Sequence, residues 1–238
     1  MSELKAIVFD LDDTLFLERD YALSGFRAVA EWAVGNVGIP AEEAYSDLTR
    51  LFDEGVRTAT FDTWLIARGR SLESIPAMVQ VFRDHEPKIT PAPAAIRILK
   101  GLRSRYALGL VTDGYSAVQH KKLAALGLGA LFDSVVVSDD HGRAAWKPNP
   151  LPFQIALDAL GVPGPAAVYV ADNPVKDFLG ARRAGMWSIR VRWAEGVYRD
   201  VEAETPDHAC DVEIDGLEDL MPAIETIDHR ATRRRVTT

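Results

Sequence analysis

The sequence predicts an α/β protein: a doubly wound, Rossmann-like parallel sheet with a helical bundle inserted after its first strand. Three observations lead there. From Ala94 to Val191 short apolar runs alternate with amphipathic stretches, as strands and helices taken in turn would. A further apolar run, Ala6-Ile7-Val8-Phe9, lies far ahead of that series, and four stretches of helical spacing separate the two. Several apolar runs stop abruptly at polar residues, and in open α/β sheets ligands bind at the carboxyl ends of the strands.

Ala6 to Phe9 reads as a strand buried on both faces, and it ends at the carboxylates Asp10, Asp12 and Asp13. Acids at the end of a buried strand cost desolvation energy unless a cation or another charge compensates. Helical spacing follows in Leu23, Phe26, Ala30, Ala33 and Val37, stopped by Gly38-Ile39-Pro40. Ala44, Leu48, Leu51 and Phe52 mark a second helix. Phe61, Trp64 and Leu65 mark a third, ending near Gly69, and Ile75, Val79 and Phe82 a fourth. Pro87, Pro91 and Pro93 then form a linker. Four amphipathic helices with short connections predict a small bundle. The expected division is residues 1–15 and 91–229 for the core, 16–90 for the bundle and 230–238 for a tail.

The alternating part predicts helices at 96–102, 117–126, 151–160 and 176–184, and strands at 107–111, 134–137, 166–170 and 188–191. Residues 195–215 are polar and give no assignment. Leu217, Leu220, Met221 and Ile224 suggest a closing helix, and the tail with Arg233-Arg234-Arg235 reads as a solvated end.

The chain has 238 residues, 47% apolar and 26% charged, an ordinary globular composition. A formal charge of −8 argues against nucleic acid as a partner, since phosphate-backbone binding needs a basic face. It leaves room for a small phosphate substrate, which needs only a local cation. The single cysteine, Cys210, excludes an intrachain disulfide and suits a reducing compartment. No apolar run reaches membrane-spanning length, and no secretory signal pattern precedes the first strand. The expectation is a cytoplasmic protein, monomer or homodimer, with no membrane partner.

Three more strand ends carry polar chemistry. The strand ending at Val111 runs into Thr112-Asp113-Gly114, where a hydroxyl and a glycine allow close approach of an anion, although Thr-Asp-Gly is also an ordinary turn. Lys147, within Trp146-Lys147-Pro148-Asn149-Pro150, precedes a helix, a place where most lysines are solvated. Asp172 and Asp177 flank Asn173-Pro174-Val175-Lys176 after a strand; the ordinary readings are a turn residue and a helix first-turn acid.

Together, Asp10-x-Asp12-x-Thr14, Thr112, Lys147 before a proline, and Asp172-x-x-x-x-Asp177 resemble the haloacid dehalogenase-like hydrolase superfamily. The four motifs stand in the family's order over residues 5 to 192, and the bundle's position resembles the family's helical type-1 cap. The resemblance implies Mg2+ as cofactor, Asp10 as a nucleophile that becomes an aspartyl-phosphate, and Asp12 as general acid and then general base. It implies a metal site from Asp10, Asp172 and the backbone carbonyl of Asp12, with Asp177 in support. Thr112 with the backbone of Asp113 and Gly114 would bind phosphoryl oxygens, and Lys147 would neutralise charge shared by Asp10 and phosphate. Dehalogenases of this family lack an acid at the position of Asp12, and its pump ATPases carry threonine there. Asp12 therefore favours a phosphatase, with a phosphomutase of the same fold as the alternative. A non-enzymatic phospho-acceptor receiver module is the alternative from another class, but receivers lack an inserted bundle. A cap of this type suits a small phosphorylated metabolite: a sugar phosphate, phosphoglycolate or a nucleotide monophosphate. Asp13 reads as structural. The five histidines show no metal-binding spacing. Arg57, Arg68 and Arg70 read as surface groups of the bundle, with contact to substrate as their functional reading.

Overall fold

The computed structural model describes residues 4–236, with side chains as far as Arg233. Six strands form one sheet: β1 (Ala6–Phe9), β2 (Ala107–Thr112), β3 (Ser134–Val137), β4 (Ala167–Ala171), β5 (Trp187–Val191) and β6 (Val212–Ile214). All pairs are parallel, in the order β3-β2-β1-β4-β5-β6. In register, Val8 lies between Gly109 and Tyr169. The chain winds one way from β1 to β3 and the other way from β4 to β6, so the switch point lies at β1 and β4, where an open sheet forms a crevice.

Parallel strands need crossovers, and helices supply them. These are α5 (Ala95–Leu102), α6 (Ser116–Leu126), α7 (Leu151–Leu160) and α8 (Asp177–Arg183), with α9 (Leu220–Val236) after β6. Residues alternate across each strand. Ala6 and Val8 share one buried cluster with Val111 and Tyr169 of the sheet, Phe153 and Ala156 of α7, and Phe178 of α8. Ile7 and Phe9 face the other way and are equally buried. Full burial of a side chain such as Phe153 or Phe178 contributes roughly 2–3 kcal/mol.

Two compact units result: Arg19–Ile89, and the described residues on either side of that segment. The first boundary falls three residues beyond the expected one. Leu15 and Phe16 are wholly buried, and Asp13 ties the backbone N–H of Glu18 at 2.7 Å. The smaller unit holds α1 (Glu18–Asn36) beyond its first residue, α2 (Ala41–Asp53), α3 (Thr60–Ala67) and α4 (Ile75–Asp84). Its centre is aromatic: the Phe26 ring lies 6.0, 6.2 and 5.7 Å from those of Phe52, Phe61 and Phe82. Trp64 is buried there and donates to Asp47 at 3.0 Å. Arg68 is paired with Asp47 and Glu43, and Arg57 lies over the Phe52 ring at 4.8 Å, so both arginines are engaged within this unit.

Two segments differ from the sequence reading. Within the unassigned 195–215, Val212–Ile214 forms the edge strand β6, too short for a visible alternation. The closing helix continues to Val236, so most of the segment expected as a solvated tail forms its last turns; residues 237 and 238 lie outside the described residues. Among the described residues, no helix is long and apolar enough to cross a membrane.

Candidate active site

Asp10 is the first residue past β1, and its N–H donates to Val170 O at 2.9 Å, which fixes it against the end of β4. Asp172 is the first residue past β4 and Asp177 opens α8. Each of the three offers a carboxylate oxygen within 4.8 Å of the others, and all three are buried. The turn between Asp172 and α8 is held locally. Asn173 accepts from the Val175 N–H at 2.9 Å and donates its own N–H to Asp177 Oδ2 at 2.9 Å. Gly180 lets α8 approach closely, because a Cβ there would stand 2.5 Å from the Phe153 ring and 3.0 Å from Pro148 O.

Lys147 reaches into this ring of acids. Its Nζ donates to Asp10 Oδ1 at 2.9 Å, Asp177 Oδ1 at 2.6 Å and the Tyr169 hydroxyl at 2.9 Å, which uses all three ammonium protons. Its backbone N–H is gripped by both carboxylate oxygens of Asp113, at 3.0 and 3.2 Å. Thr112 ends β2 on the same edge of the sheet. Its buried hydroxyl has no hydrogen-bond partner among the described residues, and neither does Asp172 Oδ2. Gly114 has φ +134°, and a side chain there would collide with Gln119.

Burial dominates the electrostatics. It pushes the Asp10 carboxyl up to about 6; Lys147 opposes this and Asp177 adds to it. Burial, then the neighbouring charges of Asp177 and Asp10, raise Asp172 well above the usual carboxylate range. Burial disfavours the charge on Lys147, but Asp10 and Asp177 outweigh it and hold the ammonium well above its ordinary pKa. Lys147, bonded to two of the three buried carboxylates, and Lys176, acting through space, leave excess negative charge. Three hard oxygen donors, one of them with a buried unpartnered atom, fit a divalent cation such as Mg2+.

The sequence-predicted residues do not all converge. Asp10, Asp172, Asp177 and Lys147 come together, with Thr112 at the neighbouring strand end. Asp12 is turned elsewhere: its carboxylate accepts from Lys122 Nζ at 2.6 Å and Gln119 Nε2 at 3.2 Å, both on α6. The Asp113 carboxylate grips the Lys147 N–H and its carbonyl accepts from Gln119 at 2.6 Å, so its side chain is a tether, while the expected phosphate contact is its backbone N–H, which these bonds do not use. Asp13 is structural, with Oδ1 accepting from the Glu18 N–H at 2.7 Å and Oδ2 from the Val197 N–H at 2.6 Å.

Sequence reasoning passed over Gln119, Lys122, Tyr169, Lys176 and Glu18. Gln119 and Lys122 carried a signal, since they stand three apart and put polar groups on the buried face of α6. Glu18 resembled any helix-start acid. In the structure it is half-buried, and burial, with Asp12 and Asp13 adding and Lys122 and Lys176 opposing, pushes it up to about 7.

The doubly wound parallel sheet gathers three buried carboxylates and a lysine at its switch point, the crevice where an open α/β sheet takes its ligand. The model of the haloacid dehalogenase-like hydrolases matches residues 7–191, and the chain belongs to that family. It is 34% identical over 234 residues to a glyceraldehyde 3-phosphate phosphatase of Methanopyrus kandleri, an alignment covering 94% of this chain and 98% of the relative. It is 38% identical over 198 residues to the pyrimidine 5'-nucleotidase YjjG of Escherichia coli, covering 76% and 82%. Among solved structures it is similar to a phosphatase from Thermococcus onnurineus, with TM-score 0.61, 27% identity and coverage of 93% and 98%.

Proposed function

We propose that this hydrolase is a Mg2+-dependent phosphatase that cleaves phosphate monoesters of small metabolites through an aspartyl-phosphate on Asp10. One observation carries the reading: Asp10, Asp172 and Asp177 converge around Lys147 beside the unpartnered hydroxyl of Thr112, at the sheet's switch point. The phosphatase names of the relatives in Methanopyrus and Escherichia support it.

A phosphate monoester resists attack because its anionic oxygens repel a nucleophile, so the site has to supply positive charge and in-line placement. Asp10, Asp172 and the backbone carbonyl of Asp12 would hold Mg2+, with Asp177 in support. The bound ion would supply positive charge to the phosphoryl oxygens and offset the repulsion between Asp10 and the substrate. Lys147 holds Asp10 in place and adds a second fixed positive charge. Thr112 Oγ1 donates to a phosphoryl oxygen, the partner that its burial otherwise denies it.

Asp10 forms a bond to phosphorus as the ester P–O bond breaks. The leaving oxygen takes a proton from Asp12. Water then loses a proton to Asp12 and attacks phosphorus, which releases inorganic phosphate and restores the Asp10 carboxylate. For the first step Asp12 must exchange its 2.6 Å contact with Lys122 for one with the leaving oxygen.

The test is phosphate release from a panel of phosphorylated metabolites with Mg2+, repeated in excess chelator. The expected result is turnover that disappears with chelator and returns with Mg2+. No release from any ester overturns the reading.

A further inference from the structure

Three polar side chains of the larger unit lie beside this site, and the steps above use none of them. They are Glu18, Lys176 and Tyr198, each half-buried. The structure holds the backbone of all three firmly. The buried Asp13 carboxylate binds the Glu18 N–H with one oxygen and the Val197 N–H with the other, at 2.7 and 2.6 Å. This residue has φ +46°, a left-handed conformation that few non-glycine residues adopt. Buried Arg190 donates to Asp172 O at 3.0 Å, Tyr198 O at 2.7 Å and Val201 O at 2.8 Å. The loop after β5 is therefore tied at one point to the β1 loop and at another to the strand end that carries Asp172. Lys176 sits between Asp172 and Asp177 in the turn leading to α8.

Despite that anchoring, among the described residues neither the carboxylate of Glu18, nor the ammonium of Lys176, nor the hydroxyl of Tyr198 has a hydrogen-bond or ion-pair partner. The three nevertheless share one electrostatic neighbourhood. The Tyr198 phenol is raised by burial first and by the charge of Glu18 next, and Lys176 opposes both. Three polar groups gathered on anchored backbone, partly desolvated and bonded to no described protein group, can offer hydrogen bonds to a ligand.

We infer that Glu18, Tyr198 and Lys176 form the leaving-group subsite of the proposed phosphatase, and that it takes a short hydroxylated carbon chain such as a triose phosphate. The inference rests on the phosphatase reading and deepens it. The charges select the class. A substrate carboxylate beside the phosphate would meet Lys176 favourably but be repelled by Glu18, and a lone amine would meet the reverse. A neutral chain bearing hydroxyls satisfies all three, since a carboxyl accepts, an ammonium donates and a phenol does both. A zwitterionic amino-acid phosphate is the one charged alternative that also satisfies both ions. It would engage Glu18 and Lys176 with its own two charges, and the experiment below separates it from the neutral class. The Methanopyrus relative's name, a glyceraldehyde 3-phosphate phosphatase, agrees with the neutral class.

The experiment compares kcat/KM for glyceraldehyde 3-phosphate, O-phosphoserine and p-nitrophenyl phosphate in the Mg2+-loaded enzyme and in two near-isosteric variants, Glu18→Gln and Tyr198→Phe. Wild type is expected to prefer glyceraldehyde 3-phosphate. Each variant is expected to lower the ratio of glyceraldehyde 3-phosphate to p-nitrophenyl phosphate about tenfold, mainly through KM, as loss of one hydrogen bond to substrate does. Ratios within about twofold of wild type in both variants, with p-nitrophenyl phosphate still hydrolysed, would remove the subsite and leave the phosphatase standing. A wild-type preference for O-phosphoserine that both variants reduce would overturn the neutral class in favour of the zwitterion. Failure of wild type on all three esters, and on the wider panel above, overturns the phosphatase reading and this inference with it.

Discussion

Replacing Lys147 by Met removes the one ammonium that, among the described residues, is bonded to Asp10 and Asp177, and keeps the aliphatic volume. The Lys147 side chain is wholly buried, as is that of Asp177, and Asp10 is 4% exposed. Taking away one partner of a buried pair leaves uncompensated charge and costs about 3–5 kcal/mol. The cost depends on pH, and its sign follows from Asp10. Its folded pKa, about 6, already lies above the usual carboxylate value with Lys147 lowering it, and without Lys147 it climbs further. A raised folded pKa gives stability that is fully present below the unfolded value, near 4, and is lost as pH rises through the folded value. The variant's deficit is therefore small near pH 4–5 and grows towards pH 8. Urea denaturation of both proteins at pH 5 and pH 8, with and without Mg2+, measures it. The expected deficit at pH 8 is about 3–5 kcal/mol, at least about 1 kcal/mol larger than at pH 5, and partly recovered by Mg2+. A deficit below about 1 kcal/mol at pH 8, or one that is equal at both pH values, would refute the electrostatic account of the site.

Other predictions concern the acid–base group, the metal and the Asp13 clamp. Asp12→Asn should slow phosphorylation by sugar or triose esters more than by p-nitrophenyl phosphate, because a poor leaving group needs the proton most; equal single-turnover defects would remove Asp12 from that role. Apparent Mg2+ affinity should fall about tenfold per pH unit below about 6, since Asp10 takes up a proton there that the ion has to displace. Calorimetric titration at pH 5.5 and 7.5 checks it, and a pH-independent affinity contradicts it. Asp13→Ala should cost about 2–3 kcal/mol in urea denaturation, as it strands two backbone N–H groups and places alanine at positive φ; a loss under about 0.5 kcal/mol would contradict the clamp.

The parallel sheet and the bundle were legible because buried strands and amphipathic helices leave opposite periodicities. The run Ala6–Phe9 reproduces β1, and helical spacing located α1 to α4. The carboxylate ring was legible because Asp10 and Asp172 each stand where an apolar run stops, with Asp177 opening the next helix. What escaped was pairing across the fold. Nothing near Asp12 in sequence announces Lys122, which lies 110 residues away. Nothing near Tyr198 announces Arg190, because a buried arginine bonding three carbonyls looks locally like any strand arginine. β6 escaped because three residues show no alternation, and Glu18 because its ordinary reading was sufficient.

The most direct test of the account is a covalent one. The enzyme is mixed with Mg2+ and a phosphate ester labelled in the phosphoryl group, quenched in acid within milliseconds, digested and mapped. The account predicts label on the peptide containing Asp10, released by hydroxylamine as an acyl phosphate is, and absent from Asp10→Asn, whose turnover falls by several orders of magnitude. Label on another residue, or an Asp10→Asn variant that still turns over within about tenfold of wild type, would contradict it.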